Sequence, residues 1–166
     1  MRVRFLLLSV LLVLAACGQP SRPSDKPKTP PEFVAPLAGR WTGTSGVVVE
    51  WAKQKQLPVV LDIAPDGSVT GSVGDANLVN ARLAKGRGAV QRSLGWARDF
   101  RVHGKLEGDL IATEGVRRDG VDIVFDRADD GTLVGGLTSS GSKVGGKDEM
   151  QLAAGKMVLR REAGDQ

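Results

Sequence analysis

The chain has 166 residues, with one cysteine, one histidine and no tyrosine. Its 23 basic and 19 acidic residues give a net charge of +4, without the clustered basic face that a nucleic-acid partner calls for. One histidine excludes a multi-histidine zinc site, and any Ser-His-Asp arrangement has to be built on His103.

The first sixteen residues have the layout of a secretory signal. Arg2 and Arg4 open it, an apolar stretch from Phe5 to Leu14 is broken only by Ser9, and small residues lead to Cys17. A membrane-spanning helix needs roughly 20 apolar residues. Phe5 to Ala16 supplies twelve positions before polar residues and prolines take over, which speaks against a span. An ordinary signal peptide with an incidental cysteine is the other reading, since Ala15-Ala16 also suits the ordinary cleavage enzyme.

Leu14-Ala15-Ala16-Cys17 resembles the lipobox of bacterial lipoproteins at all four positions. The resemblance implies a lipidated Cys17 as the new N-terminus, carrying a diacylglycerol thioether and an amide-linked third chain. A single acyl chain holds a protein to a membrane only marginally, so the additional chains are what make such an anchor stable. Gly18 is not the aspartate linked to inner-membrane retention, which implies the outer membrane, facing the periplasm, in a host with two membranes. Spending the one thiol on lipid leaves none for a disulfide, thiol catalysis or a cysteine metal site. Without Arg2 and Arg4 the basic count falls from 23 to 21, and the net charge to +2.

Residues 17–36 read as a tether. Six of the eight prolines lie between Pro20 and Pro36, among Ser21, Ser24, Asp25, Lys26 and Lys28. Such a segment has too little apolar content for a core, and its prolines favour an extended spacer. A disordered pre-sequence with no spacing role fits the same composition.

Residues 37–161 make one domain of 125 residues, followed by a short tail, 162–166. Strand signals dominate. Val59, Leu61 and Ile63 alternate with Val60, Asp62 and Ala64. Phe100, Val102, Gly104 and Leu106 alternate with Arg101, His103, Lys105 and Glu107, and Val121, Ile123 and Phe125 with Asp122, Val124 and Asp126. A period of two with one apolar face predicts half-buried antiparallel strands. Pro65-Asp66-Gly67, Glu107-Gly108-Asp109 and Asp129-Asp130-Gly131 supply the glycines that tight hairpins need. A repeated habit joins two of these turns: Asp66-Gly67-Ser68-Val69-Thr70-Gly71 parallels Asp130-Gly131-Thr132-Leu133-Val134-Gly135. Further runs near Trp41, Val47–Trp51, Val79–Lys85, Glu149–Ala153 and Lys156–Arg161 bring the expected total to eight to ten strands. Val47–Gln56 and Ala89–Ala97 lack clear alternation and have room for a helical turn. The pattern predicts an all-β, antiparallel up-and-down meander closing into a barrel, or else a sandwich.

Gly39-Arg40-Trp41 resembles the Gly-x-Trp opening of lipocalin-like barrels. In that family the tryptophan closes one end of the barrel under an arginine of the last strand, which implies Arg160 or Arg161 over Trp41 here. Arg98-Asp99-Phe100 stands where the family has Thr-Asp-Tyr, a departure from its second motif. Gly67 to Ala76, and Gly136 to Lys147, also resemble small secreted bacterial barrel proteins to which no activity is assigned. That resemblance implies fold more than function.

Candidate chemistry is thin. Gly141 to Lys147 satisfies Gly-x-x-x-x-Gly-Lys, but Asp148 follows where a phosphate-binding loop needs Ser or Thr, and the flanks read as strands. What remains is an anionic headgroup held by Lys143, Lys147 and the loop amides, against a plain flexible basic hairpin. His103 lies on a polar strand face, where Asp99, Asp122 or Ser139 are its conceivable partners, with no Gly-x-Ser-x-Gly motif nearby. Asp126, Asp129 and Asp130 lack the spacing and closing glutamate of a calcium loop and read as a solvated turn. Trp51 and Trp96 fall in the irregular stretches that flank barrel mouths, and with Trp41 are the aromatic candidates for lining a ligand site, though core packing explains them equally well.

Two functional expectations follow. One is a membrane-anchored envelope lipoprotein binding an apolar or amphiphilic small molecule in its barrel. The other is a structural or interaction lipoprotein with a filled barrel and a protein partner. Neither implies an enzyme, a metal or a cofactor, and a hydrolase built on His103 is a distant third.

Overall fold

A computed structural model of the protein describes residues 31–48, 54–86, 98–110, 116–143 and 152–163. Nine strands are formed: β1 (Gly39–Val47), β2 (Gln56–Ile63), β3 (Ser68–Val73), β4 (Ala76–Lys85), β5 (Phe100–Glu107), β6 (Asp109–Leu110), β7 (Val116–Arg127), β8 (Leu133–Lys143) and β9 (Leu152–Arg161). Every pairing is antiparallel. β1 pairs with both β2 and β9, and β5 pairs with both β4 and β7, so the sheet closes on itself. The result is an up-and-down barrel of eight strands, with β6 as a short continuation of β5 along β7. Closure leaves the main strands without a free edge, which the many short loops allow.

Alternation sorts the side chains. Trp41, Leu61, Ile63, Val69, Leu83, Val102, Ile123, Phe125, Leu133 and Leu159 are among the buried residues of one continuous core. Their neighbours in sequence, such as Arg40, Asp62, Thr70, Lys105 and Arg160, face out. A fully buried Leu, Ile or Phe contributes roughly 1.5–3 kcal/mol, so the inward rows carry the stability.

One end of the barrel is stoppered. A 3-10 turn, Ala35–Leu37, follows a tight turn at residues 32–34, with Leu37 N–H donating to Val34 O at 2.8 Å. Val34 and Leu37 are fully buried, and Phe33 stacks on Phe100, whose ring packs against Phe125. The packed domain therefore takes in residues 32–36, which the proline content had assigned to the tether. Phe33 and Val34 are the apolar exceptions in that stretch, and only the shape of the barrel end shows them a place to bury.

The repeated hairpin habit is a repeated structure. In both copies the aspartate Oδ1 accepts from the backbone N–H and the hydroxyl two residues on: Asp66 from Ser68 at 2.9 and 2.6 Å, Asp130 from Thr132 at 3.0 and 2.6 Å. Gly67 and Gly131 share a left-handed φ of 83° and 82°. A Cβ on Gly71 would collide with the Val60 carbonyl, and one on Gly135 with the Val124 carbonyl. At both glycines a neighbouring backbone approaches closely, and each borders a register shift in its ladder.

Two expectations are corrected. Glu107-Gly108-Asp109 is not a hairpin, because β5 and β6 both run antiparallel to β7 in the same direction. Gly108, at φ 114°, is a kink in a continuing strand. A positive-φ glycine serves a bulge as well as a turn, and sequence alone does not separate the two. The runs Glu149–Ala153 and Lys156–Arg161 are likewise joined in β9, which begins at Leu152. The irregular parts at 49–53 and 87–97 lie outside the described residues.

Candidate functional site

Strand order assigns the loops to two ends. The plug, the β2–β3 and β7–β8 turns and the end of β9 lie at one end. The far end takes the end of β1, the β3–β4 turn at Gly74 and Asp75, and the last residues of β8.

At the plugged end Trp41 is 1% exposed, and its Nε1–H donates to Leu37 O at 2.8 Å. The guanidinium of Arg161 lies 4.8 Å from the indole and donates to Pro36 O at 2.6 Å. Of the two arginines expected over Trp41, Arg161 takes the place. The stacking is worth about 0.5–2 kcal/mol and ties the last strand to the first and to the plug. Trp41 is thus a closing residue whose indole is almost wholly covered.

Toward the far end the inward rows change character. Ser45 and Ser139 are the buried polar residues of the described interior. Ser45 stands in register with Leu57 on β2 and Met157 on β9. Its hydroxyl is buried and, among the described residues, has no hydrogen-bond partner. The Ser139 hydroxyl donates to Ser140 O at 3.1 Å. An unmade buried hydroxyl costs roughly 1–3 kcal/mol. Ser45 escaped the sequence reading, yet counting by two from the inward Trp41 reaches it through Gly43.

His103 sits on the outer wall with its side chain 67% exposed. Its Nδ1 lies 2.8 Å from Asp122 Oδ1, and a carboxylate only accepts, so Nδ1 carries the proton. Arg101 Nε also donates to Asp122 Oδ1, at 2.7 Å. Burial pushes the Asp122 carboxyl up, but the hydrogen bonds from His103 and Arg101 outweigh it and hold the group below the ordinary carboxylate range. A shallow pocket of about 250 Å³ adjoins the pair and is lined in part by Thr138 and Ser140.

This is not the geometry of a triad. In register His103 pairs with Asp122, and Asp122 with Thr138, so the carboxylate stands between the imidazole and the hydroxyl. A triad needs the imidazole in the middle. Ser139, weighed as a partner, faces the interior on the other side of the wall. The neighbouring Asp99 donates its backbone N–H to Asp126 Oδ1 at 2.7 Å and belongs to another contact. His103, Arg101 and Asp122 form a cross-strand clasp between β5 and β7.

The acidic turn is accounted for in the same way. Asp126 accepts from Arg98 Nη1 at 2.9 Å, and Asp130 accepts from Thr132. Among the described residues no group of carboxylates, histidine or cysteine has metal-binding geometry. Cys17, Trp51, Trp96 and Lys147 lie outside the described residues. Lys143 ends β8, its backbone in register with Val116, and the loop that was to complete its anion site begins beyond it.

The structure places Trp41, one of the three tryptophans weighed for a ligand site, under the plug. It brings together what was not expected together: a stoppered end, and an interior hydroxyl toward the other. Compared with known proteins, the chain matches no family model, no curated protein and no solved structure.

Proposed function

We propose that the chain is a lipid-anchored protein of the cell envelope whose barrel accepts an apolar or amphiphilic small molecule from the end opposite the plug. The observation that carries this reading is the Ser45 hydroxyl, buried in an apolar wall with no partner among the described residues. A polar group of a bound amphiphile relieves that cost, while its apolar part lies along residues such as Leu57, Val73 and Leu106.

The anchor supports the same orientation. The chain enters the barrel at the plug, so a lipid on Cys17 draws the stoppered end toward the membrane and leaves the far end turned away from it. The outer membrane, facing the periplasm, follows from Gly18 by resemblance to lipoproteins. The His103 clasp serves the barrel wall in this reading, and no catalysis is involved.

Native mass spectrometry of the full chain, extracted in mild detergent from the membranes of its host, tests both parts. The expected result is a lipidated Cys17 and a co-purifying ligand mass that Ser45→Val loses. A chain that carries no ligand moves the weight to a structural or interaction lipoprotein, a reading favoured by how completely Trp41, Phe125, Leu61 and Leu159 fill the stoppered half. A Cys17 without lipid removes the anchor.

A further inference from the structure

The repeated hairpin extends further than its turn. Aligned on Asp66 and Asp130, Ile63 corresponds to Arg127 and Ala64 to Ala128. The correspondence continues into the third strand. Ser68 pairs with Arg82 on β4, while Leu133 pairs with Leu159 on β9, which sets Arg160 in the place of Arg82 and Arg161 in the place of Leu83. Electrostatics repeats too: Arg82 lies near Asp66, and Arg160 near Asp130. β2–β4 and β7–β9 are therefore two copies of one three-stranded unit.

The copies differ where the inward rows reach the rim. In the first, Ile63 and Leu83 are buried, and the plug covers the turn, with Val34 Cγ2 3.5 Å from where a Cβ on Gly67 would stand. In the second, arginines occupy both corresponding positions, and a Cβ on Gly131 would meet open space. What is filled by the plug in one copy is a groove of about 550 Å³ in the other, lined by Arg127, Arg160, Arg161, Asp130 and Thr132 over Trp41.

The arginines are not occupied alike. Arg161 is held by the indole and by Pro36 O. The guanidiniums of Arg127 and Arg160 make no hydrogen bond or salt bridge with a described residue. Asp130 is the one carboxylate of the groove, and its Oδ1 is taken by the Thr132 amide and hydroxyl. Three guanidiniums against one carboxylate make the groove a site for an anion. Two forks that no described side chain hydrogen-bonds, lining the groove with a third, fixed one, suit a group with several terminal oxygens, and a guanidinium meets phosphate through paired N–H donors.

We propose that the groove bounded by Arg127, Arg160 and Arg161 binds a phosphate ester. Its volume exceeds what a bare inorganic ion fills, so the organic part of the ester lies in the groove as well. The ester is either a soluble one or the headgroup of a phospholipid, the plug being the end from which the tether leaves.

Thermal unfolding of the full chain in non-ionic micelles, followed by tryptophan fluorescence, reads the binding. One arm titrates glycerol 3-phosphate and the other dopes the micelles with phosphatidylglycerol. A saturable rise in Tm with the soluble ester assigns a soluble ligand, and a rise with doped micelles alone assigns a headgroup. Arg127→Gln combined with Arg160→Gln is expected to weaken the effect roughly tenfold or more, since each charged hydrogen bond lost is worth about that factor. Both side chains are exposed, so the variant folds. Arg82→Gln, at the corresponding place in the first copy, is expected to leave binding unchanged. Absence of a shift in both arms overturns the proposal, as do an equal shift from potassium chloride at matched ionic strength, an equal shift in the double variant and an equal loss in Arg82→Gln.

Discussion

The β2–β4 and β7–β9 units share a turn, a glycine pressed against a neighbouring strand and an aspartate–arginine neighbour pair, yet the plug packs against the turn glycine of one and the other borders open groove. The turn is identical because it is local: an aspartate capping the residue two positions on, and a glycine at φ near 80°. The surroundings differ because two inward positions differ. Ile63 and Leu83 give the plug apolar ground, whereas Arg127 and Arg161 do not. Identical local structure thus supports opposite surfaces, and the rim residues decide which.

The comparison can be broken in graded ways. Trp41→Ala has the largest expected effect, about 3–5 kcal/mol by urea unfolding, because the indole underlies both plug and groove and its loss removes the donor to Leu37 O and the ring beneath Arg161. Ile63→Ala is expected to cost roughly 2–5 kcal/mol, while Arg127→Ala at the corresponding position changes stability by about 0.5 kcal/mol or less. Similar losses at the two would mean that Arg127 is structural and the copies equivalent after all.

Gly71→Ala and Gly135→Ala sharpen the likeness instead. Each adds a Cβ against a neighbouring backbone carbonyl, and a loss of roughly 2–4 kcal/mol is expected for both. Gly71 should lose more, since its φ of 139° also strains an L-residue. A neutral Gly135→Ala would show that the close approach is not shared by the two copies.

The smallest effects are those of pH. The Ser68 hydroxyl and amide hold Asp66 below the ordinary carboxylate range, and Thr132 does the same for Asp130. Asp122 is lowered by His103 and Arg101 against the cost of its burial. A carboxyl lowered in the folded state binds its proton more readily when unfolded. Its stabilisation is therefore complete above the unfolded value, about 3.9, and is lost as pH falls through the folded one. Stability measured from pH 6 down to pH 2 should fall, and Asp122→Asn should flatten part of that slope. Asp66→Asn and Asp130→Asn should flatten it to a similar degree, and a difference between them would show that the two turns are electrostatically unlike.

Much of the fold was legible because strands write themselves with period two. Leu61, Ile123 and Val102 face in as their alternation requires, and the Asp-Gly turns sit where the runs break. Arg161 over Trp41 was legible as a choice between two neighbours, which the inward phase of β9 resolves. Gly108 was misread, since nothing local separates a kink from a reversal; the partner strand separates them. Ser45 was readable by counting, but its significance needs the closed wall that removes water from its hydroxyl.

From its own order of residues the chain determined the strands, their inward faces and the two equivalent turns. These depend on neighbours a few positions apart, where alternation, φ preference and side-chain caps act. The tertiary structure alone decided that Val34 stoppers one end, that Asp122 separates His103 from Thr138, and that Arg127 lines one groove with Arg160 and Arg161. Each of these joins residues far apart in sequence. Only barrel closure, which fixes the register of all eight strands at once, brings such residues within reach of one another.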